Sequence, residues 1–172
     1  MTIAPSTVLL VEDDPNDVLL MQRAFRLANF ANPIQTVEDG EEAVAYLSGK
    51  PPYADRNRYT LPALMLLDLK LPRKSGLEVL QWVRQQDGLK RLPVVVLTSS
   101  RETADVNRAY DLGANSYLVK PVAFESLLEM VKALNLYWMT LSERPEVGNH
   151  EQVLWTARSA SCISKTIRTT GP

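Results

Sequence analysis

Short apolar runs alternate with amphipathic helical patterns five times between Val8 and Tyr137, and few architectures accommodate that rhythm. Runs of four or five apolar residues at Val8 to Val11, Ala63 to Leu67 and Val94 to Leu97 are apolar throughout, as strands buried on both faces are. Pro33 to Val37 and Ser116 to Val119 supply two weaker runs. Between the runs lie stripes of helical period. Asp14 is placed to cap the first helix, with Pro15 at its first position, and Val18, Leu19, Met21, Ala24, Phe25 and Leu27 carry it to about Ala28. Helices are expected at Glu41 to Leu47, from Leu77 past Val83, at Glu102 to Leu112 ending on Gly113, and at Phe124 to Tyr137. Five βα units imply right-handed crossovers with helices on both faces of one parallel sheet. The expected fold class is α/β: a flavodoxin-like, doubly wound five-stranded parallel sheet of order 2-1-3-4-5.

Between Ser48 and Leu61 the chain carries Gly49, Pro51 and Pro52, with Pro62 at its edge, so a long loop is expected there. After Thr140 the periodicity fades into a Ser/Thr-rich stretch. The expected division is one domain over 1–141 and a C-terminal tail over 142–172 that is too short for an added DNA-binding output domain. With 172 residues and 45% hydrophobic content the chain supports one well-buried core. Its 19 Lys+Arg against 20 Asp+Glu create no basic field for nucleic acid or anionic membrane. The lone Cys162 has no internal partner, and no stretch approaches the roughly 18 apolar residues of a membrane span. A cytoplasmic chain with no membrane association is the expectation.

Parallel strands deliver their carboxyl ends to one edge, and here those ends are reactive. The first run leads into Glu12-Asp13, the third into Asp68, the fourth into Thr98 and the fifth into Lys120-Pro121. Clustered carboxylates repel one another, and a hard cation such as Mg²⁺ relieves that repulsion through oxygen ligands and retained waters. Asp13 and Asp68 are expected to ligate it directly, Glu12 through a water, and the Lys70 backbone carbonyl to add an oxygen. A carboxylate is also a nucleophile toward phosphorus. Mg²⁺ and the Lys120 ammonium would neutralise the charge on a transferring phosphoryl group while the Thr98 hydroxyl donates to it. Each residue alone is unremarkable: acids collect in turns, lysines are solvated, and Asp14 is explained by capping.

In combination they resemble the receiver domain of two-component response regulators over about residues 6 to 139, in the CheY-like form of the fold. The resemblance rests on Glu12-Asp13, on Asp68 followed by Leu71-Pro72 and Gly76, on Thr98 thirty residues later and on Lys120-Pro121 twenty-two after that. It implies that Asp68 is the phosphoacceptor, with Thr98 and Lys120 completing the catalytic set and a sensor histidine kinase as donor. It further implies that Tyr117 is a switch aromatic moving with Thr98, and that the Lys120-Pro121 bond is cis, aiming Lys120 into the crevice. Glu12 stands where many members carry aspartate, a substitution common in the family. The loop before Leu61-Pro62-Ala63, the Leu71 to Gly76 turn and the Leu136-Tyr137-Trp138 ending are similar to the small stand-alone regulators paired with phytochrome kinases. The family also implies a homodimer through the fourth helix, fifth strand and fifth helix.

The last helix presents Phe124, Leu127, Leu128, Val131 and Leu134 as a core stripe. Met130, Leu136, Tyr137, Trp138 and Met139 exceed one buried face, which suggests a contact surface. Arg56-Asn57-Arg58-Tyr59 reads as a solvated loop in preference to a kinase contact. His150 lies in the irregular tail, as does Trp155, and His150 is a poor phosphotransfer residue. An aspartate-nucleophile phosphatase normally has a second aspartate two positions after the first, where this chain has Lys70. A flavin-binding module would place a phosphate against Glu12-Asp13-Asp14, which would repel it. A phosphorylation-independent interaction module is the remaining alternative, which the complete set of site residues disfavours.

Overall fold

The structure is a computed structural model that describes residues 6–148. Five parallel strands, β1 (Val8–Val11), β2 (Ile34–Val37), β3 (Leu64–Leu67), β4 (Val94–Thr98) and β5 (Ser116–Val119), form one sheet of order β2-β1-β3-β4-β5. The helices between them are α1 (Pro15–Leu27), α2 (Gly40–Ser48), α3 (Gly76–Gln85), α4 (Thr103–Asp111) and α5 (Phe124–Leu134). The expected class and strand order are both present. Successive strand side chains point to opposite faces, and the two cores follow from that alternation. Leu9, Val11, Met65, Leu67, Val94 and Val96 pack with α2, α3 and Ala109 of α4. Val8, Leu10, Leu64, Leu66, Val95 and Leu97 pack with Met21, Ala24 and Phe25 of α1 and Leu127, Val131 and Leu134 of α5.

Local chemistry sets the helix starts. The Asp14 side chain accepts from Asn16 N–H at 2.8 Å and Pro15 opens α1. Asp39 caps α2 by accepting from Glu42 N–H, and Ser75 and Glu78 form a reciprocal capping box on α3. Gly113 takes a positive φ of 94° just after α4.

Two expectations need correction. The final helix does not run on as an α-helix to Tyr137: after Leu134 it widens into a π-helix, Asn135–Leu141, in which Ser142 N–H donates to Tyr137 O at 2.8 Å. That widening turns Trp138 and Met139 onto the α1–α5 core and leaves Leu136 and Tyr137 exposed. The loop after α2 has no helix or strand, as expected, but it is not simply solvated. Tyr46, Tyr53 and Tyr59 form a cluster with ring centroids 5.0–6.0 Å apart, and Arg56 donates to the carbonyls of Tyr46, Leu47 and Tyr59. Asn57 and Arg58 do face solvent.

After the π-helix the chain crosses to the opposite side of the sheet. Arg144 donates to Ser6 Oγ and to Met139 O, Val147 packs on the α2–α3 core, and Gly148 N–H donates to Gly88 O. No helix among the described residues is long and apolar enough to cross a membrane. His150, Trp155 and Cys162 lie outside the described residues.

Candidate functional site

Strand register brings the reactive residues together. Val11 pairs with Leu67 in adjacent parallel strands, so Glu12-Asp13 and Asp68 leave the sheet side by side, and Asp68 N–H donates to Val11 O at 3.1 Å. Thr98 closes β4 one strand further out, and Lys120 N–H donates to Thr98 O at 2.8 Å. Glu12, Asp68 and Thr98 are buried, Asp13 is exposed and Lys120 is half-buried.

The Lys120 ammonium is the hub. It donates to Glu12 Oε2, to Asp17 Oδ2 at 2.8 Å and to Asp68 Oδ2 at 2.9 Å, using all three of its N–H donors. It does so from a trans Lys120-Pro121 bond: the cis peptide among the described residues is Pro51-Pro52. The family's usual cis bond is therefore absent here. The three carboxylates draw the ammonium in nonetheless.

Charge in this crevice is balanced by those contacts. Burial raises the pKa of Asp68, but the hydrogen bond and charge of Lys120, the Thr98 hydroxyl and the Lys70 N–H at 3.3 Å together hold it below the ordinary carboxylate value. Glu12 is the opposite case. Burial dominates over its bonds from Lys120 and Asp14 N–H and pushes it up to about 7. Burial lowers the pKa of Lys120, but its bonds to Asp17, Asp68 and Glu12 prevail and raise it.

Carboxylate oxygens of Glu12, Asp13 and Asp68 lie within 4.8 Å of one another. Three hard oxygen donors converging at a rim that is open on the Asp13 side suit a divalent cation that keeps part of its water shell. The Lys70 backbone enters the same turn, where its N–H holds Asp68 Oδ1.

Tyr117 projects from β5, and its hydroxyl donates to Ser100 O at 3.1 Å, while Ser100 N–H lies 3.5 Å from Thr98 Oγ1. The two expected switch residues thus meet the same loop residue. The sequence reading missed two participants. Asp17 lies in the first turn of α1, where an acid complements the helix dipole, yet the start of α1 at Pro15 also turns it back onto Lys120. Its signal was an acid one helical turn beyond the Glu12-Asp13 pair. Ser100 had no distinguishing signal.

Comparison with known proteins agrees with this geometry. The profile of the response regulator receiver domain matches residues 8–132. The chain is 38% identical over 135 residues to the response regulator Rcp1 of Synechocystis sp., covering 78% of this chain and 90% of that one. It is 38% identical over 141 residues to the probable methanogenesis regulatory protein FilR2 of Methanothrix harundinacea, covering 82% and 88%. The phosphorylated cyanobacterial phytochrome response regulator RcpA superimposes with a TM-score of 0.77 at 38% identity, covering 83% of this chain and 99% of that one. Rcp1 is also similar in its Mn(2+)-bound form, with a TM-score of 0.74 at 37% identity over 82% and 99% of the two chains. Receiver domains take phosphoryl groups from histidine kinases and bind divalent metal at an acidic cluster such as this one. The chain belongs to the response regulator receiver family.

Proposed function

We propose that the protein is a phosphorylation-dependent switch in which Asp68 takes a phosphoryl group from the phosphohistidine of a sensor histidine kinase of phytochrome type. The observation that carries this reading is the setting of the Asp68 carboxylate. One oxygen is held by Lys120 Nζ at 2.9 Å and the other by Lys70 N–H at 3.3 Å, at a rim shared with Asp13. In the transfer an Asp68 oxygen forms a bond to phosphorus as the P–N bond breaks, and the electron pair returns to the imidazole nitrogen. Lys120 exchanges its Asp68 contact for a phosphoryl oxygen while Asp17 keeps the ammonium in place, and Thr98 turns its hydroxyl to a second oxygen. Mg²⁺ held by Asp13, Asp68, the Lys70 carbonyl and, through water, Glu12 would neutralise charge on the remaining oxygens. The domain thereby catalyses its own phosphorylation and dephosphorylation and has no separate substrate. The 38% identity to the cyanobacterial phytochrome response regulator RcpA over 83% of this chain and 99% of that one supports the phytochrome pairing.

Thr98 and Tyr117 are the switch, and the surface they govern is that of α4, β5 and α5. Tyr110 on α4 and Leu136, Tyr137 and Leu141 beyond α5 are exposed apolar side chains, which support a homodimer at this end. With 19 Lys+Arg against 20 Asp+Glu the chain offers no basic field for nucleic acid or an anionic membrane, which favours protein contacts as the means of output of a receiver over 1–141. The compartment is the cytoplasm, where sensor kinases expose their phosphohistidine. The test is phosphotransfer profiling with purified kinases carrying radiolabelled phosphohistidine. A phytochrome kinase should lose label to this chain within the first minute, far ahead of other kinases. Equal slow transfer from all donors would contradict the pairing. Light scattering at micromolar concentration should give a dimer, and monomer with and without a phosphoryl mimic would contradict the dimer.

A further inference from the structure

Lys120 shares its ammonium among three acids that are not equivalent. Glu12 and Asp68 follow β1 and β3 and are buried, with side chains 2% and 9% exposed, whereas the Asp17 side chain on the first turn of α1 is 36% exposed. Glu12 and Asp68 also converge with Asp13 in the acid cluster, of which Asp17 is no part among the described residues. The two buried partners therefore serve both the lysine and any cation that enters the cluster. Asp17 serves the lysine alone: among the described residues its carboxylate has Lys120 as its one hydrogen-bond partner.

The start of α1 mounts that carboxylate firmly. Asp14 caps the helix by accepting from Asn16 N–H at 2.8 Å, Pro15 fills its first position, and Met21, Ala24 and Phe25 are buried in the core behind it. Helical side chains lean toward the N-terminus, which in the first turn carries Asp17 back over the strand ends. Its bond to Lys120 Nζ at 2.8 Å joins residues 103 apart in the chain and is no longer than the Asp68 bond at 2.9 Å. Burial works against the charged ammonium, and among the contacts that outweigh it the bond to Asp17 leads.

We propose that Asp17 is the positioning residue for Lys120 in phosphoryl transfer, a fixed outer partner that keeps the ammonium at the rim of the crevice while its bond to Asp68 is given up. The proposal deepens the receiver reading and rests on it for the transfer itself. Lys120 has a flexible stem, and its two other acids lie inward of it. An ammonium held by those two alone would close on Glu12 once Asp68 formed its bond to phosphorus. Held from the outer side as well, it stays where a phosphoryl oxygen arrives, and the cost of ordering the stem is met before the reaction begins.

The experiment compares the full chain with Asp17→Ala and Asp17→Asn. The first readout needs neither metal nor label: the ¹H–¹⁵N signal of the Lys120 ammonium, assigned by its loss in Lys120→Met, which a held ammonium gives and a freely exchanging one does not. The unsubstituted chain should show it, Asp17→Ala should lose it, and Asp17→Asn, which keeps an acceptor oxygen, should show it broadened. The second readout is label uptake from acetyl phosphate by intact mass, in which an Asp68 oxygen bonds phosphorus as acetate leaves with the electron pair. At saturating donor and Mg²⁺ the rate should fall roughly five- to tenfold in Asp17→Ala, as for one charge-assisted hydrogen bond lost at a partly exposed site, while the Kd for Mg²⁺ changes less than about twofold. Either the signal or the saturated rate unchanged in Asp17→Ala would reduce Asp17 to an acid that complements the helix dipole and overturn the proposal. So would a fall in rate matched by an equal loss of Mg²⁺ affinity. Failure of the unsubstituted chain to take label overturns the receiver reading instead, and the ammonium signal still decides whether Asp17 holds Lys120.

Discussion

A side-chain carbon at Gly76 would stand 2.1 Å from the carbonyl oxygen of Asp68. The start of α3 is packed directly against the backbone that presents Asp68, and Gly76 N–H donates to Leu69 O at 2.9 Å in the same turn. Separation by even one methyl group would displace the turn that holds the carboxylate. Gly76→Ala should therefore lower stability by about 3 kcal/mol, the upper part of the range for overpacking a close-packed site. Urea denaturation measures it, and a loss under about 0.5 kcal/mol would show that the turn yields easily.

Glu12 links stability to pH with a definite sign. Its pKa rises from 4.5 to about 7 because burial disfavours the charged form. Across that window the folded protein holds a proton that the unfolded chain has released, so stability falls as pH rises from about 4.5 to about 7. Asp68 works in the other direction at lower pH, since its depressed pKa stabilises the fold above the ordinary carboxylate value and that contribution is lost on acidification. In metal-free buffer Glu12→Gln should flatten the profile between those two pH values. An unchanged profile would remove Glu12 as its source.

Divalent metal should stabilise the fold through the acid cluster. A ligand at a hundred times its Kd adds about 2.7 kcal/mol to a state that alone binds it. For a domain of this size that is a rise in Tm of several degrees. Mg²⁺ should produce it, chelation should reverse it, and Asp13→Asn should abolish most of it. A Tm indifferent to Mg²⁺ in the unsubstituted chain would remove the metal from the account.

The positions of Asp68, Glu12-Asp13 and Thr98 were legible in the sequence because each ends a buried parallel strand, and Lys120 because it follows the weaker run of the half-buried edge strand β5. In such a sheet, the end of an apolar run is also a place in space. The cap at Asp14 and the positive φ at Gly113 were legible for equally local reasons. What was hidden depended on the tertiary direction of long side chains. Asp17 reaches Lys120 only because α1 begins where it does, and Arg56 turns inward to three carbonyls because the loop carries its own tyrosine cluster. The π-helix after Leu134 was hidden too, since an apolar segment does not disclose whether its turns tighten or widen. The trans Lys120-Pro121 bond departs from the family expectation, and the Lys120 ammonium meets Glu12, Asp17 and Asp68 all the same.

The central claim is that Asp68 is a nucleophile toward phosphorus, and incubation with acetyl phosphate tests it directly by intact mass and peptide mapping. The unsubstituted chain should gain one phosphoryl group on the peptide containing Asp68, dependent on Mg²⁺ and removed by hydroxylamine, while Asp68→Ala gains none. Continued labelling of Asp68→Ala, or a label on another residue of the unsubstituted chain, would contradict the account.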